Sequence, residues 1–379
     1  MISLVNKIKT ARQTALAVLE AVFSEGVYSN IALNQTLLEV PLSSADKGLV
    51  TEIVYGTVAR KITLEWYLSH VIEDRDKLDS WLYILLLMSL YQIQYLDKIP
   101  AHAVVNEAVE LAKARKKGSE KFVNAVLRGL LRDGVADIGS IKRKNKRYSI
   151  QYSLPVWLVK VLIEEYGEKR ALAIFESLFL RNKASVRVVD LSRKEKLKQV
   201  LQAEDSLLAP SALVKSHGHF AGHALFEEGA ITIQDESSQL VTPTLELRGD
   251  EKVLDACSAP GGKTMHIASY LTTGQVTALD LYEHKLALIK ENAQRLGVAD
   301  KVITKKLDAR KVFETFGADA FDKILVDAPC SGIGLIRRKP DIKYNKENAD
   351  FDSLQKIQLE ILDSVCQSLR KGGIITYST

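Results

Sequence analysis

The sequence predicts a chain of three parts: a helical first third, a small α/β segment, and an α/β domain built on a parallel sheet. Three observations predict it. Apolar residues recur at helical spacing up to about residue 138, a dense basic run follows at 142–147, and from about residue 230 short apolar strands alternate with helical stretches. The expected divisions are 1–138, 139–228 and 229–379. A length of 379 residues fits two or three domains, and 46% hydrophobic with 26% charged residues is ordinary for a chain with a real core.

In the first part, Leu16, Leu19, Val22 and Phe23 mark one apolar stripe, and Ile53, Val54, Thr57 and Val58 mark a second. Asp79-Ser80-Trp81 offers N-cap residues for a third helix, whose run Trp81 to Leu90 is the most apolar in the chain. That run is far short of the ~20 residues that span a bilayer, so it reads as a buried helix. Val104, Ala108 and Leu111 give another stripe, while Gly26, Pro41, Pro100 and Gly134 fall between stripes as breakers. The opening MISLVNKIKT has no apolar signal region. Cys257, Cys330 and Cys366 are odd in number, far apart and without C-x-x-C pairing, which argues against a disulfide framework or a zinc knuckle and for a reducing, cytoplasmic setting.

The 52 basic and 47 acidic residues leave a mild excess of +5, but its distribution is uneven. Lys142, Arg143, Lys144, Lys146 and Arg147 form one cluster, and Lys113, Arg115, Lys116, Lys117 and Lys121 another. Such clusters suit a polyanion such as RNA, and equally a solvated linker. After the first of them a helix begins near Pro155, and residues 184–215 read strand, helix, strand. His217, His219 and His223 lie within seven residues, with no cysteine or carboxylate close by to complete a metal site, and read as a polar surface loop.

In the last part VLDAC, QVTALD, KVITKK, KILVDA and GIITYS are the strands. Parallel sheets bind ligands at the carboxyl ends of their strands, so those ends are where chemistry is sought. The first strand runs into Cys257-Ser258-Ala259-Pro260-Gly261-Gly262-Lys263-Thr264 and then a helix. No G-x-G-x-x-G is present. Gly262-Lys263-Thr264 matches the tail of a P-loop, but Cys257 stands where the leading glycine belongs, and Pro260 removes a backbone donor. The better reading is a nucleoside cofactor without a phosphate chain. Asp280 ends the second strand, where a carboxylate can accept both ribose hydroxyls, and Asp308 follows the third, within reach of an adenine amine. The fourth strand delivers Asp327-Ala328-Pro329-Cys330-Ser331-Gly332, placing a carboxyl and a thiol beside the cofactor. Cys257 and Cys366 read as buried core residues.

VLDACSAPGGKT, followed by ALD, LDAR and DAPCSG, resembles the Sun/Fmu or RsmB family of 16S ribosomal RNA cytosine carbon-5 methyltransferases. GAITIQDESSQL resembles that family's entry into its catalytic domain, and the helical first third resembles the antitermination factor NusB. The resemblance covers essentially the whole chain. It implies an all-α NusB-like bundle, a small α/β middle domain and a Rossmann-like class I methyltransferase domain, C-terminally incomplete. It also implies S-adenosylmethionine as cofactor, 16S ribosomal RNA as partner, no metal, no membrane, and a monomer.

By the same resemblance Cys257, Ser258, Ala259, Pro260, Gly261, Gly262 and Lys263 line the methionine and ribose part of the cofactor. Asp280 holds the ribose, Asp308 the adenine side, and Asp327 both cofactor and target base. A cysteine adds to carbon 6 of the cytosine, carbon 5 takes the methyl group, a base removes the carbon-5 proton, and the cysteine leaves. Related enzymes place that nucleophile after a Thr in Y-[SA]-T-C-S, which here would follow Thr379, so the 379 residues are expected to lack turnover and to expose an apolar strand edge at Ile374, Ile375 and Tyr377. Cys330 takes the family's helper role in product release, although Pro329-Cys330 also resembles the nucleophile of DNA cytosine methyltransferases. A non-catalytic RNA-binding protein is the rival reading.

Overall fold

A computed structural model describes residues 10–180, 183–216, 220, 223–347 and 349–379. The opening segment up to residue 9, and His217 and His219, lie outside the described residues. The chain divides into two compact units: Met1–Leu180 with Gly332–Asn348, and Arg181–Ser331 with Ala349–Thr379. This grouping by packing cuts the chain at different places from 1–138, 139–228 and 229–379, which remain a proposal about domains.

The first unit is helical, with α1 (Ala11–Ser24), α2 (Ser29–Glu39), α3 (Ser44–Ala59), α4 (Lys61–Leu68), α5 (Ser80–Tyr95), α6 (Ala101–Arg115), α7 (Ser119–Asp133), α8 (Lys144–Gln151), α9 (Val156–Tyr166) and α10 (Glu168–Ser177). α1 starts at a capping box in which the Thr10 hydroxyl accepts from the Gln13 amide and the Gln13 side chain accepts from the Thr10 amide, both at 3.2 Å. α5 is buried continuously from Leu82 to Gln92, as a helix apolar on every side must be. Asp79 occupies its N-cap position but makes no capping bond; its carboxylate turns to the Lys116 ammonium at 2.7 Å, a partner that helical spacing alone does not reveal. α3 lies so close to α5 that a Cβ on Gly56 would fall 1.9 Å from the Tyr91 ring.

The segment Gly332–Asn348 belongs to this helical unit. The Ser29 hydroxyl donates to the buried Asp341 carboxylate, and the Tyr344 hydroxyl donates to the Val58 carbonyl at 2.7 Å. Lys343 is fully buried, its ammonium donating to the Ala59 carbonyl at 2.8 Å. Ile336 packs with Tyr152, Leu154, Leu158 and Phe175.

The second unit holds two sheets. The smaller is antiparallel, in the order β2 (Glu204–Asp205), β3 (Ala212–Lys215), β1 (Ala184–Val188), β4 (Ile231–Ile233), with α11 (Lys194–Leu201) and α12 (Ala224–Glu227) among its connections. After α13 (Glu236–Gln239) come β5 (Lys252–Asp255), α14 (Gly262–Tyr270), β6 (Gln275–Asp280), α15 (Glu283–Arg295), β7 (Val302–Lys306), α16 (Val312–Phe316), β8 (Phe321–Asp327), α17 (Ala349–Cys366) and β9 (Leu369–Ser378). These five strands form a parallel sheet in the order β7-β6-β5-β8-β9. Alternate residues feed its two faces: Val253, Ala278 and Leu325 pack with Met265, Ile267 and Ile289, while Leu254, Leu279 and Val326 pack with Val312, Ile361 and Val365. Helices therefore cover both faces, and strand order reverses between β5 and β8, which opens a crevice at their carboxyl ends. Among the described residues no helix is long and apolar enough to cross a membrane.

Burial first, and then the nearby Arg60 guanidinium, push the Lys343 ammonium down to about 7. Its folded-state value thus lies below the unfolded one near 10.5, so between these limits the unfolded chain binds the extra proton and stability rises with pH. Chemical denaturation should show the difference between wild type and Lys343→Met growing in favour of wild type from pH 7 towards pH 10, by at most ~1.4 kcal/mol per pH unit. A constant difference across that window would contradict the burial of an ionisable lysine here.

Candidate active site at the carboxyl ends of β5 and β8

The crevice is built by three turns. β5 ends in Asp255, whose carboxyl is buried; Thr264, in the first turns of α14, donates to its Oδ2 at 2.6 Å. Its Oδ1 is buried without a hydrogen-bond partner. Loss of solvent is the main reason this carboxyl is pushed up to about 7, with the Asp327 charge adding to the effect and the Thr264 bond opposing it.

The loop then turns on Ser258, whose amide and hydroxyl both donate to the Leu279 carbonyl at 2.9 and 2.7 Å. Gly261 takes φ +100°, a conformation that favours glycine, and sits against Ile289. A Cβ on Gly262 would meet open space, so the first turn of α14 faces a void. A cavity of about 220 Å³ fills that position. It is lined by Cys257, Ser258, Ala259, Pro260, Gly262, Lys263 and Asp327, with Asp255. The loop expected to cradle a nucleoside does border a cavity; Gly261 lies behind its wall.

β8 ends in Asp327. The Lys263 ammonium pairs with its Oδ1 at 2.5 Å, and Ser378 at the end of β9 donates to the same oxygen at 2.8 Å. Cys330 follows as an exposed free thiol, and the Gln358 amide holds the preceding Pro329 carbonyl at 2.9 Å. Burial first, and then the Cys330 charge, raise the Tyr377 hydroxyl.

Asp280 and Asp308 are not part of the cavity wall, but they share its field. The Cys257 thiol is pushed up to about 12, first by burial and then by the charges of Asp255, Asp327, Asp280 and Asp308, so it stays protonated. Asp280 Oδ1 accepts from the Tyr282 amide at 2.9 Å, with Lys285 4.0 Å away. Asp308 is more committed. Arg310 binds both of its oxygens, at 2.7 to 3.1 Å, and these bonds hold its carboxyl below the usual range. The expected acceptor for an adenine amine is therefore already engaged by the arginine two residues on.

Other expected residues divide. Lys142 and Lys146 are exposed, Arg143 is the N-cap residue of α8, Arg147 lies over the Tyr148 ring at 5.8 Å, and Lys144 is paired with Glu168 at 2.5 Å. The run thus opens a helix. Of the second cluster, Arg115 pairs with Glu20 and Lys116 with Asp79. His223 accepts from the Leu225 amide as the N-cap of α12, and among the described residues no group of three His, Cys, Asp or Glu side chains is placed to hold a metal ion. Cys366 is exposed, not core: it is the last residue of α17, directly after the buried Val365.

Sequence reasoning missed two parts of the site. Asp255 ends its strand as Asp280 and Asp327 do, and the same rule would have found it. Ile233, Gln234, Asp235 and Ser238 also line the cavity, carried there by β4, which pairs with β1 of the small sheet. The buried Arg187 of β1 donates to Gln234 Oε1 at 2.9 Å; burial pushes this guanidinium down to about 10 and leaves one of its nitrogens without a partner.

Comparison with known proteins agrees with this geometry. Residues 242–379 match the family described as 16S rRNA methyltransferase RsmB/F, and residues 9–132 match the NusB family. A Bacillus subtilis (strain 168) protein named "Probable ribosomal RNA small subunit methyltransferase B" is 43% identical over 378 residues, covering 98% of this chain and 84% of that one. Ribosomal RNA small subunit methyltransferase B of Escherichia fergusonii is 33% identical over 98% of this chain and 87% of its own. Among solved structures, PH0851 superimposes with a TM-score of 0.79 at 22% identity, over 98% of this chain and 86% of that one, a likeness of fold. A methyltransferase homologue from Pyrococcus horikoshii gives a TM-score of 0.54 at 26% identity, over 62% and 77%. With its NusB-like helical region and Rossmann-like methyltransferase sheet, the chain belongs to the ribosomal RNA small subunit methyltransferase B family.

Proposed function

We propose that the protein transfers a methyl group from S-adenosylmethionine to carbon 5 of a cytosine in 16S ribosomal RNA, in the cytoplasm. The observation that carries this reading is the carboxyl-rich crevice at the switch point of the sheet, with Cys330 three residues beyond its Asp327. Asp255 and Asp327 in the cavity wall, with Asp280 at the neighbouring strand end, suit a cationic nucleoside better than a triphosphate. The unpartnered Asp255 Oδ1 offers an acceptor for the ammonium of the methionine part. Cys257 to Lys263 would border the methionine and ribose, Asp280 would accept the ribose hydroxyls, and Asp308 would face the adenine side once Arg310 shares its oxygens. When bound, the cofactor supplies an electrophilic methyl group.

The chain's own groups hold the cofactor and position the base. Asp327, anchored on one oxygen by Lys263 and Ser378, presents the other to the base edge. A cysteine thiolate adds to carbon 6, which makes carbon 5 nucleophilic; a base then takes the carbon-5 proton and the thiolate leaves. Cys257 is unsuited to that addition because its thiol stays protonated far above neutral pH. Cys330, exposed, takes the helper role in release. Lys142, Arg143, Lys144, Lys146 and Arg147 provide the RNA contact, with Lys144 weakened by its bond to Glu168. The target base lies in a loop or is flipped out, because carbons 5 and 6 are out of a thiolate's reach within a stack.

Calorimetry should show S-adenosylmethionine binding with no binding of ATP. Asp280→Ala should weaken the cofactor by tenfold or more, since each charge-assisted bond lost is worth ~1.5–3 kcal/mol. Unchanged affinity in that variant would remove Asp280 from the ribose.

The position of the methyl group is tested with small-subunit RNA carrying tritium on carbon 5 of its cytosines. Every methyl transferred should release a tritium into water. Methyl transfer without that release would place the group on another atom.

A further inference from the structure

The helical unit contains a second cavity, of about 650 Å³, which no step above uses. Its walls come from α4, α8 and α9, and they combine Ile62 and Trp66 with Arg143, Lys144, Lys146 and Lys160. The volume lies in the ~300–1,000 Å³ range of small-molecule sites. No carboxylate is among the lining residues. Lys144 is tied to Glu168, but Arg143, Lys146 and Lys160 make no ion pair among the described residues, so three cations face a cavity with nothing to neutralise them.

The walls are fixed before any ligand arrives. The Ile62 amide donates to the Ser153 hydroxyl at 2.9 Å, the Thr63 hydroxyl donates to the Ile150 carbonyl, and the Ser149 hydroxyl to the Leu154 carbonyl. Trp66 is half-buried, and His70 braces its ring edge-on, centroids 4.5 Å apart. A rigid indole beside uncompensated cations matches a group that is planar and apolar at one end and anionic at the other. An acidic peptide has the charge without the plane, whereas a nucleotide has both.

We infer that this cavity is a subsite for one unpaired RNA nucleotide, its base against Trp66 and its phosphate among Arg143, Lys146 and Lys160. The inference rests on the RNA-binding reading proposed above and adds to it: the helical unit selects single-stranded over paired RNA. A stacked base inside a duplex cannot reach the indole, whereas an unpaired one can.

The test uses the whole chain and a short fluorescent RNA of mixed sequence, as a single strand and as its duplex, titrated over a range of salt. Trp66→Leu should weaken the single strand by roughly five- to hundredfold, the span of base–aromatic stacking, and leave the duplex unchanged. Trp66→Phe should restore most of the loss. Lys146→Gln combined with Lys160→Gln should lower the salt slope for the single strand by about 0.7, one phosphate contact. Equal weakening of single strand and duplex by Trp66→Leu, or no change in slope, would overturn the subsite while RNA binding by the wild type still supported the wider reading. Failure of the wild type to bind either RNA would overturn both.

Discussion

The catalytic half of the molecule depends on a carboxyl group kept out of water. Asp255 ends the central strand of the parallel sheet, and a buried carboxylate without a full set of partners costs several kcal/mol, so this one carries its proton up to about 7. Thr264 satisfies one oxygen and thereby ties the start of α14 to the end of β5. Lys263, one residue earlier, is directed to Asp327 on the neighbouring strand. One turn of helix thus joins the two strand ends that border the switch point. The same field fixes Cys257 as a thiol and biases the crevice towards cations.

In the helical half, polar groups are buried as well, and Asp341, Lys343 and Tyr344 find their partners within the chain. Asp341, Lys343 and Tyr344, which follow β8 in sequence, lodge against residues of α2 and α3. Arg60 closes this region, its guanidinium 3.3 Å from the centre of the Phe179 ring and 4.4 Å from that of Tyr95. The segment Gly332–Asn348, which precedes α17, is therefore an insertion by packing, even though it is continuous with the catalytic motif.

What was legible in the sequence followed local periodicity. The helical stripes, the buried α5, and all five parallel strands were readable because a helix or strand buries one face at a fixed spacing, and the strand-end rule then picked out Asp280, Asp308 and Asp327, of which Asp327 lines the cavity. What was not legible depends on partners distant in sequence. Nothing near Asp79 announces Lys116, and nothing in 332–348 announces Ser29, Val58 or Ala59. Gln234 and Asp235 reach the cavity only because β4 pairs antiparallel with β1. Cys366 was misread because an apolar helix was taken to be apolar at its last turn. Asp308 is the exception: its arginine partner is two residues away, and the bond between them was within reach of local reasoning.

Asp255, with its carboxyl pushed up to about 7, should lose its proton fully when a cation enters the crevice. The direct measurement is the affinity for S-adenosylmethionine as pH falls from neutrality, in wild type and Asp255→Asn. With the free-state value near 7, binding should release a proton, and wild-type affinity should fall by up to about tenfold per pH unit below it. The asparagine variant should bind more weakly at neutral pH and show a flat profile. Parallel profiles for the two proteins, with no difference in proton release, would contradict it.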